Sequence, residues 1–242
     1  MEYSDHVSET VLRLGLIITF LWLEKQTPFI RFIEEEELWM YRYPSVPSII
    51  SKFTLHILVL LLVAVMYSIE YWINKKKEDI IKGVYALTLI YGINGIFTTV
   101  LKLLVGRPRP SFFMRCFPDG YGTDINECTG EIKEIMDGRK SFPSGYTSFM
   151  FAMMFFISLH LFQFLKVKTS HRLKGCRLSL CCAPMLAAIL IAASRTSDYH
   201  HHYSDVVAGS LIGLVVSSLT FYSYYAEGDT EEMASLKNKS QG

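Results

Sequence analysis

The chain has 242 residues and a formal net charge of +1, and about half of its residues are apolar. Its mean hydropathy is positive, which is more apolar than a soluble domain of this size usually requires. The low net charge, with no basic stripe separate from the apolar runs, argues against a nucleic-acid-binding protein. Composition therefore favours an integral membrane protein.

Six apolar runs are long enough to cross the roughly 30 Å hydrocarbon layer, which takes about 20 helical residues. They lie at 9–23, 53–73, 83–105, 146–165, 178–194 and 205–225. Met1 is followed by polar, mostly acidic residues instead of the basic segment of a signal peptide, so the first run is expected to stay in the mature protein. The sequence predicts an all-α integral membrane bundle of six transmembrane helices over 1–225 and a disordered tail over 226–242.

Lysine and arginine are concentrated in two of the loops between these runs. They are Lys75, Lys76, Lys77 and Lys82 after the second run, and Lys166, Lys168, Arg172, Lys174 and Arg177 after the fourth. The positive-inside rule places both loops in the cytoplasm, and the acidic run 34–37 on the opposite face. Both termini, including the tail, are then expected in the cytoplasm, and the first, third and fifth loops outside the cell or in an organelle lumen.

A first polar constellation, at the end of the third run, contains Lys102, Arg107 and Arg109. Lys102 taken alone could be a lysine that snorkels to the membrane surface. Pro108 and Pro110 hold the backbone extended, so the two arginines should point in opposite directions. One of them can then face Lys102.

A second constellation, at the start of the fourth run, is Pro143-Ser144-Gly145-Tyr146. A proline in the first turn followed by Ser144 and Gly145 presents backbone N–H groups, and a helix N-terminus with such donors is a natural anion cradle. Standing alone, the segment would be better explained as a plain helix cap.

A third constellation, between the fifth and sixth runs, contains Arg195, His201 and Asp205. His201 and Asp205 are four residues apart, so if the sixth helix begins nearby they share one face, and the carboxylate can orient the imidazole. Such a pair is typical of a nucleophile or base with its orienting group. The neighbours His200 and His202 raise the alternative of a metal site, but adjacent residues cannot all face one ion from a regular element, so no metal is expected.

The charge rule places all three constellations on the same, non-cytoplasmic face, although they span about a hundred residues of sequence. Cations around a helix N-terminus, beside a His/Asp pair, indicate a site in which histidine attacks a phosphate group. Cys116 and Cys128 lie in a loop on this face, where either a disulfide or two free thiols would be compatible with an oxidising compartment.

These residues resemble, in order and spacing, the three motifs KxxxxxxRP, PSGH and SRxxxxxHxxxD of the type 2 phosphatidic acid phosphatase superfamily. The matching segments run from Lys102 to Pro110, from Pro143 to Gly145 and from Ser194 to Asp205. The chain looks more similar still to the diacylglycerol pyrophosphate phosphatase-like phospholipid phosphatases of animals, through Arg107-Pro-Arg-Pro and Gly138-Arg-Lys-Ser-Phe-Pro-Ser-Gly. The resemblance covers nearly the whole chain except the tail.

The resemblance implies a metal-independent lipid phosphatase that needs no cofactor. The residues implied to bind phosphate are Lys102, Arg109, Ser144, Gly145 and Arg195. His201 is implied to form a phosphohistidine, oriented by Asp205, which water then hydrolyses. The implied substrates are phosphatidate, lysophosphatidate, diacylglycerol pyrophosphate or related lipid phosphates, in the membrane of the endoplasmic reticulum or the cell surface.

One position departs from the pattern, because Tyr146 stands where the family has the histidine of PSGH. That histidine is thought to protonate the leaving oxygen, and phenol, with an ordinary pKa near 10, is a poorly matched donor. Loss of a positioned general acid commonly costs on the order of 100- to 10,000-fold. The departure motivates the hypothesis of impaired turnover, and a catalytically silent lipid-phosphate-binding membrane protein is the alternative hypothesis.

A small transporter or channel is a third hypothesis, which rests only on six spans that carry charge. The charges are confined to one face instead of the bilayer midplane, which argues against it. The sequence leaves open which lipid is preferred and whether the chain forms a homodimer.

Overall fold

The structure is a computed structural model, and it describes residues 3–75, 77–122, 124–168 and 173–239. Within these residues the regular secondary structure is helical, without strands. The α-helices are α1 (Tyr3–Glu24), α2 (Lys52–Asn74), α3 (Lys77–Val105), α4 (Phe112–Cys116), α5 (Ile132–Gly138), α6 (Gly145–Lys168), α7 (Lys174–Ser197) and α8 (Tyr203–Lys239). A 3₁₀ helix covers Glu35–Tyr41.

Among the described residues, six helices are long and apolar enough to cross a membrane. Their candidate spans are Asp5–Glu24, Phe53–Asn74, Ile80–Val105, Gly145–Leu165, Lys174–Ser197 and Tyr203–Tyr225. Each overlaps one predicted run, so the prediction of an all-α membrane bundle with six spanning helices is confirmed. The largest differences between the candidate spans and the predicted runs are at the starts of the first and fifth, because polar residues that end an apolar run are still compatible with helical backbone.

Helix α6 lies at the centre of the bundle and packs most extensively against α8 and α7. Two glycines of α8 permit a close approach. A Cβ atom on Gly209 would lie 2.6 Å from the carbonyl oxygen of Ser144, and one on Gly213 would lie 2.5 Å from that of Ser148. Small residues at such a crossing let two membrane helices approach backbone to backbone, which fixes the N-terminal end of α6 relative to α8.

Helix α2 is peripheral and makes only sparse contacts, with α3 and α6. Its large apolar side chains Phe53, Leu60 and Trp72 are largely exposed. An apolar surface of this extent on a helix long enough to span the bilayer is typical of contact with lipid chains.

The C-terminal ends of α1, α3 and α7 and the N-terminal ends of α2, α6 and α8 lie at the same end of the bundle. Backbone hydrogen bonds join them: the Phe29 amide, after α1, donates to Leu103 in α3 over 2.7 Å, and the Ser144 amide donates to Asp205 in α8 over 2.9 Å. The three polar constellations of the sequence are therefore brought to one end of the fold.

The loop between α3 and α6 carries α4 and α5 across this end. Cys116 and Cys128 form a disulfide, so the two thiols are not free. Phe112 and Cys116 are buried and pack with Ile33 and Tyr41 of the segment that follows α1. The loop is thus held by its own small apolar core.

Helix α8 continues to Lys239, beyond the boundary predicted at residue 225. The division of the chain into a membrane domain over 1–225 and a tail over 226–242 stays a prediction, and residues 240–242 lie outside the described residues.

Candidate active site

A cavity of about 240 Å³ opens at the end of the bundle where the constellations meet. Five of the eight predicted site residues line it: Lys102, Arg109, Gly145, Tyr146 and His201. Since a water molecule occupies about 30 Å³ in the liquid, there is room for a phosphate group and the atoms esterified to it. The other three, Ser144, Arg195 and Asp205, are buried and contact the wall from behind.

The imidazole of His201 is held by a backbone carbonyl. Its Nδ1 lies 2.8 Å from the oxygen of Ser141. Because a carbonyl oxygen only accepts hydrogen bonds, Nδ1 carries the proton and donates it, which leaves the lone pair on Nε2. A neutral imidazole with its bare nitrogen in a cavity can attack an electrophile.

The charge state of His201 follows from its surroundings. Burial lowers the pKa of His201 to about 3, and the positive charges of Arg109 and Lys102 lower it further against the opposing effect of Asp205. The side chain therefore stays neutral, and nucleophilic, across the physiological pH range.

Asp205 is fully buried, and its carboxylate oxygens accept hydrogen bonds from three residues other than His201. Oδ2 accepts from the Ser141 hydroxyl over 2.6 Å and from the His202 amide over 3.0 Å, and Oδ1 accepts from Arg107 over 2.6 Å. The distance from Oδ2 to Nδ1 of His201 is 3.8 Å, too long for a hydrogen bond. Since α8 begins at Tyr203, His201 precedes the helix, and Asp205 influences the imidazole through its charge and through Ser141.

Lys102 is buried, and its ammonium lies close to Gly145, the first residue of α6. A Cβ atom on Gly145 would lie 3.2 Å from Nζ of Lys102, so a larger residue here would require the lysine to move slightly. The cavity thereby combines a cation with the N-terminal backbone of a long helix, where N–H groups and the helix dipole favour an anion.

The two arginines of the first constellation have different partners, as the intervening proline predicts. Arg109 lines the cavity and pairs with Asp137 at 3.0 Å, and burial lowers its pKa while Asp137 opposes that shift. Arg107 instead contacts Asp205 and donates to the Ser204 hydroxyl over 2.6 Å. Sequence reasoning singled out Arg107 as a cation but did not predict this pairing.

Arg195 does not line the cavity. It pairs with Asp198 at 2.8 Å and donates to the Ser48 hydroxyl over 3.1 Å, and its guanidinium lies 4.5 Å from the centre of the Tyr146 ring. Burial alone would raise the pKa of Asp198, but hydrogen bonds and charge from His200, together with Arg195, hold it below its ordinary value. Tyr146 lines the cavity, and its hydroxyl donates to the Ile50 carbonyl over 3.4 Å.

Ser144 acts as a helix cap. Its Oγ accepts from the Thr147 amide at 3.5 Å and from the Thr147 hydroxyl at 3.0 Å, three residues into the chain of α6. Ser144 is fully buried and does not line the cavity, whereas Gly145 does. The cap and the anion cradle thus involve neighbouring residues of one helix start.

The three adjacent histidines face different neighbours. His200 contacts Asp198, His201 contacts Ser141, and Nε2 of His202 lies 3.2 Å from the carbonyl oxygen of Pro108. Within the described residues, no group of three His, Cys, Asp or Glu side chains is placed to hold a metal ion.

Sequence reasoning missed five residues with polar side-chain atoms that line the cavity: Glu24, His56, Tyr91, Thr98 and Thr99. Glu24 directly follows the first apolar run and His56 lies near the start of the second. A polar residue at either place is ordinarily interpreted as marking the end of a membrane span. The signal available for His56 was an ionisable residue inside a predicted span, which is by default a functional candidate.

Comparisons with known proteins identify the family of this chain. The model of the PAP2 superfamily matches residues 83–229. Lipid phosphate phosphatase 2 of Arabidopsis thaliana is 35% identical over 227 residues, covering 91% of this chain and 77% of that protein. Lipid phosphate phosphatase 1 of the same plant is 32% identical over 237 residues, covering 95% and 71%. Diacylglycerol pyrophosphate phosphatase 1 of Saccharomyces cerevisiae is 35% identical over 138 residues, covering 54% and 47%. No solved structure matches the chain significantly.

Proposed function

The chain belongs to the PAP2 superfamily and is a membrane lipid phosphatase, and we propose that it releases phosphate from lipid phosphates through a phosphohistidine formed on His201. The proposed substrates are phosphatidate, lysophosphatidate, diacylglycerol pyrophosphate and related lipid phosphates. The observation that carries the proposal is the imidazole of His201, fixed by Ser141 with its lone pair on Nε2, in one cavity with Lys102 and Arg109.

In this mechanism the phosphate oxygens bind Lys102, Arg109 and the backbone at Gly145, and these donors stabilise the charge of the transition state. Nε2 of His201 attacks phosphorus in line with the leaving oxygen. The charge of Asp205, 3.8 Å from the ring, favours the cationic phosphohistidine over the neutral ring that precedes it. Ser144 and Arg195 act from behind the wall, by capping α6 and by supporting Tyr146.

The first test is phosphate release from a panel of these lipids, dispersed in detergent and assayed with a metal chelator present. The parent chain, His201→Ala and Tyr146→His are compared. We expect release by the parent, no release by His201→Ala, and radiolabel from a phosphate-labelled lipid trapped on the parent in an acid-labile form. No release by either the parent or Tyr146→His, over the whole panel, would overturn the proposal.

The same panel tests the silent-binding alternative, which the phenol at position 146 motivates. If the chain only binds lipid phosphates, the parent retains lipid but its release does not exceed that of His201→Ala. Release above that background rejects the alternative.

We further propose that the site faces the lumen or the cell exterior. Basic residues cluster at the opposite end of the bundle, near the start of α7, where Cys176 is exposed. A membrane-impermeant maleimide should label Cys176 only after permeabilisation, whereas Tyr121→Cys, at an 84% exposed position in the α4–α5 loop, should be labelled in sealed right-side-out vesicles. The reverse pattern would overturn this orientation.

A further inference from the structure

A histidine of α2, His56, lines the same cavity as His201, Lys102 and Arg109. We propose that His56 is the general acid that protonates the leaving oxygen and the general base that activates water in the second step. This inference rests on the proposed phosphatase function and adds a catalytic residue to it.

Contacts with two aromatic rings position the His56 side chain. Its imidazole centre lies 5.9 Å from that of Tyr91 in α3 and 5.8 Å from that of Phe149 in α6, both in edge-on or tilted geometry. Phe149 lies one helical turn beyond Tyr146, and both line the cavity. The ring of His56 is therefore held beside the start of α6, on the wall made by α2.

The reaction needs a proton donor, because the alkoxide of a lipid alcohol is a strong base and a poor leaving group. The titratable and charged groups that line the cavity with His56 are Glu24, Tyr91, Lys102, Arg109, Tyr146 and His201. An efficient donor must be protonated near neutral pH yet able to lose its proton. Imidazole is the side chain whose ordinary pKa meets both conditions.

The other groups are less suitable. Ammonium, guanidinium and phenol groups ordinarily hold their protons far above neutral pH, and the Tyr146 hydroxyl already donates to Ile50. Glu24 accepts a hydrogen bond from the Thr99 hydroxyl at 2.8 Å, and carboxylates are ordinarily ionised at neutral pH. His201 is committed to phosphorus, which leaves His56 as the donor.

The proton transfers balance over the two steps. In the first, Nε2 of His201 bonds to phosphorus, the bond from phosphorus to the lipid oxygen breaks, and that oxygen keeps the electron pair and takes the proton of cationic His56. In the second, neutral His56 takes a proton from water as the water oxygen bonds to phosphorus. The phosphorus–nitrogen bond then breaks, its electron pair returns to His201, and inorganic phosphate leaves.

The test compares two leaving groups in the full-length protein in detergent. The leaving group of dodecyl phosphate is a strongly basic alkoxide, whereas the leaving group of p-nitrophenyl phosphate is a stable anion that needs no proton. For His56→Gln we expect kcat/KM, which reports the first step, to fall on the order of 100- to 10,000-fold on dodecyl phosphate and less than about tenfold on p-nitrophenyl phosphate. The value of kcat includes hydrolysis of the shared phosphohistidine, in which His56 is the base, so kcat should fall on both substrates. The matched control is His6→Gln, because His6 lies in the first turns of α1, at the other end of the bundle, and contacts Tyr85.

Two further measurements separate catalysis from packing. The fall of the parent's kcat/KM on dodecyl phosphate at high pH, which loss of the acid's proton would cause, should be absent in His56→Gln. Adding Tyr146→His to His56→Gln should restore part of the lost rate, because an imidazole then reaches the same cavity from α6. An equal loss of kcat/KM on both substrates, or no loss on either, would overturn the role of His56.

Failure of this inference is distinguishable from failure of the proposed function. If the parent releases phosphate from neither substrate but Tyr146→His does, the phosphatase site stands and His56 is not its acid. If both proteins are inactive on all substrates, the proposed function fails and the role of His56 fails with it.

Discussion

Nδ1 of His201 lies 2.8 Å from the carbonyl oxygen of Ser141, and this contact, not a bond to a carboxylate, sets which nitrogen of the ring is bare. Ser141 also donates its hydroxyl to Asp205 over 2.6 Å. One residue therefore orients the imidazole with its backbone and links it to the nearest negative charge with its side chain. Orientation and charge stabilisation can be separated by mutation.

Asp205→Asn should lower kcat on the order of 100- to 1,000-fold, because an amide does not stabilise the positive charge that develops on His201. Ser141→Ala should lower kcat less than about tenfold, because the backbone carbonyl that fixes the tautomer remains. Phosphate release from a lipid substrate measures both values.

The thermal midpoint of each variant in detergent is the companion measurement. The amide of Asp205→Asn turns a donor toward Arg107, Ser141 or His202, each of which already donates to the carboxylate, so a lower midpoint is expected. Equal losses of kcat in Asp205→Asn and Ser141→Ala would contradict the division of roles.

The pKa of His201 predicts how stability depends on pH. Folding holds that pKa at about 3, whereas an unfolded histidine titrates near 6.5. Between these values the unfolded state binds a proton that the native state does not, so the free energy of unfolding falls as pH falls from about 6.5 toward 3.

The measurement is the thermal midpoint of the parent and of His201→Gln in detergent over that pH range. The thermal midpoint of the parent minus that of His201→Gln should become smaller as the pH falls, because glutamine does not titrate. A difference that stays constant from pH 7 to pH 4 would argue that His201 is protonated in the folded chain.

The close crossing of α6 and α8 predicts that an added methyl group is costly. In Gly209→Ala or Gly213→Ala the new Cβ would meet backbone oxygens of Ser144 or Ser148, which cannot move without shifting a helix. Overpacking of this kind destabilises by about 1–3 kcal/mol, and at Gly209 it displaces the start of α6 next to Gly145. A lower thermal midpoint is expected for both, with a larger loss of kcat/KM for Gly209→Ala.

Gly15→Ala is the control for that comparison. Nothing lies within 4 Å of a Cβ atom at Gly15, and alanine is the better helix former by about 1 kcal/mol. Its midpoint should equal or exceed that of the parent. If Gly209→Ala behaves in the same way, the crossing is looser than the distances imply.

The predictable parts of the structure are those that depend on residues close together in the sequence. Spans and their number follow from runs of apolar residues, and Pro108 between two arginines predicts that Arg107 and Arg109 have different partners. The pairing of Arg107 with Asp205 joins residues 98 positions apart, and no pattern in a single sequence specifies it. The same holds for Ser141, which acts through a backbone carbonyl that any residue possesses.

Residues behind the cavity wall illustrate a second limit. The motif around Arg195 indicates a phosphate ligand, yet Asp198, Ser48 and the ring of Tyr146 hold its guanidinium away from the cavity. One of these three contacts is with Tyr146, the position at which this chain departs from the motif. A motif predicts which residues converge but not which of them line the cavity.

The disulfide offers a last prediction, because it closes the loop that positions Arg109. Cys116 and Cys128 are 12 residues apart, and a crosslink over such a loop stabilises by about 3 kcal/mol in the chain-entropy account. Asp137, which pairs with Arg109 at 3.0 Å, follows Cys128 in the same connection between α3 and α6 but lies outside the segment that the disulfide closes. Cys128→Ser should therefore speed proteolysis of the loop and raise KM for lipid phosphates more than it lowers kcat.

Reductant should reproduce the Cys128→Ser effect in the parent and add nothing to the variant. Cys182→Ser is the matched control, because that thiol is exposed and free in α7; a surface change of this kind usually alters stability by less than about 0.5 kcal/mol. Arg109 lines the cavity and pairs with Asp137. A weaker Arg109–Asp137 ion pair should therefore weaken phosphate binding, while the His201–Ser141 contact is unchanged. An unchanged KM in Cys128→Ser, with the loop cleaved faster, would show that Arg109 is held without the disulfide.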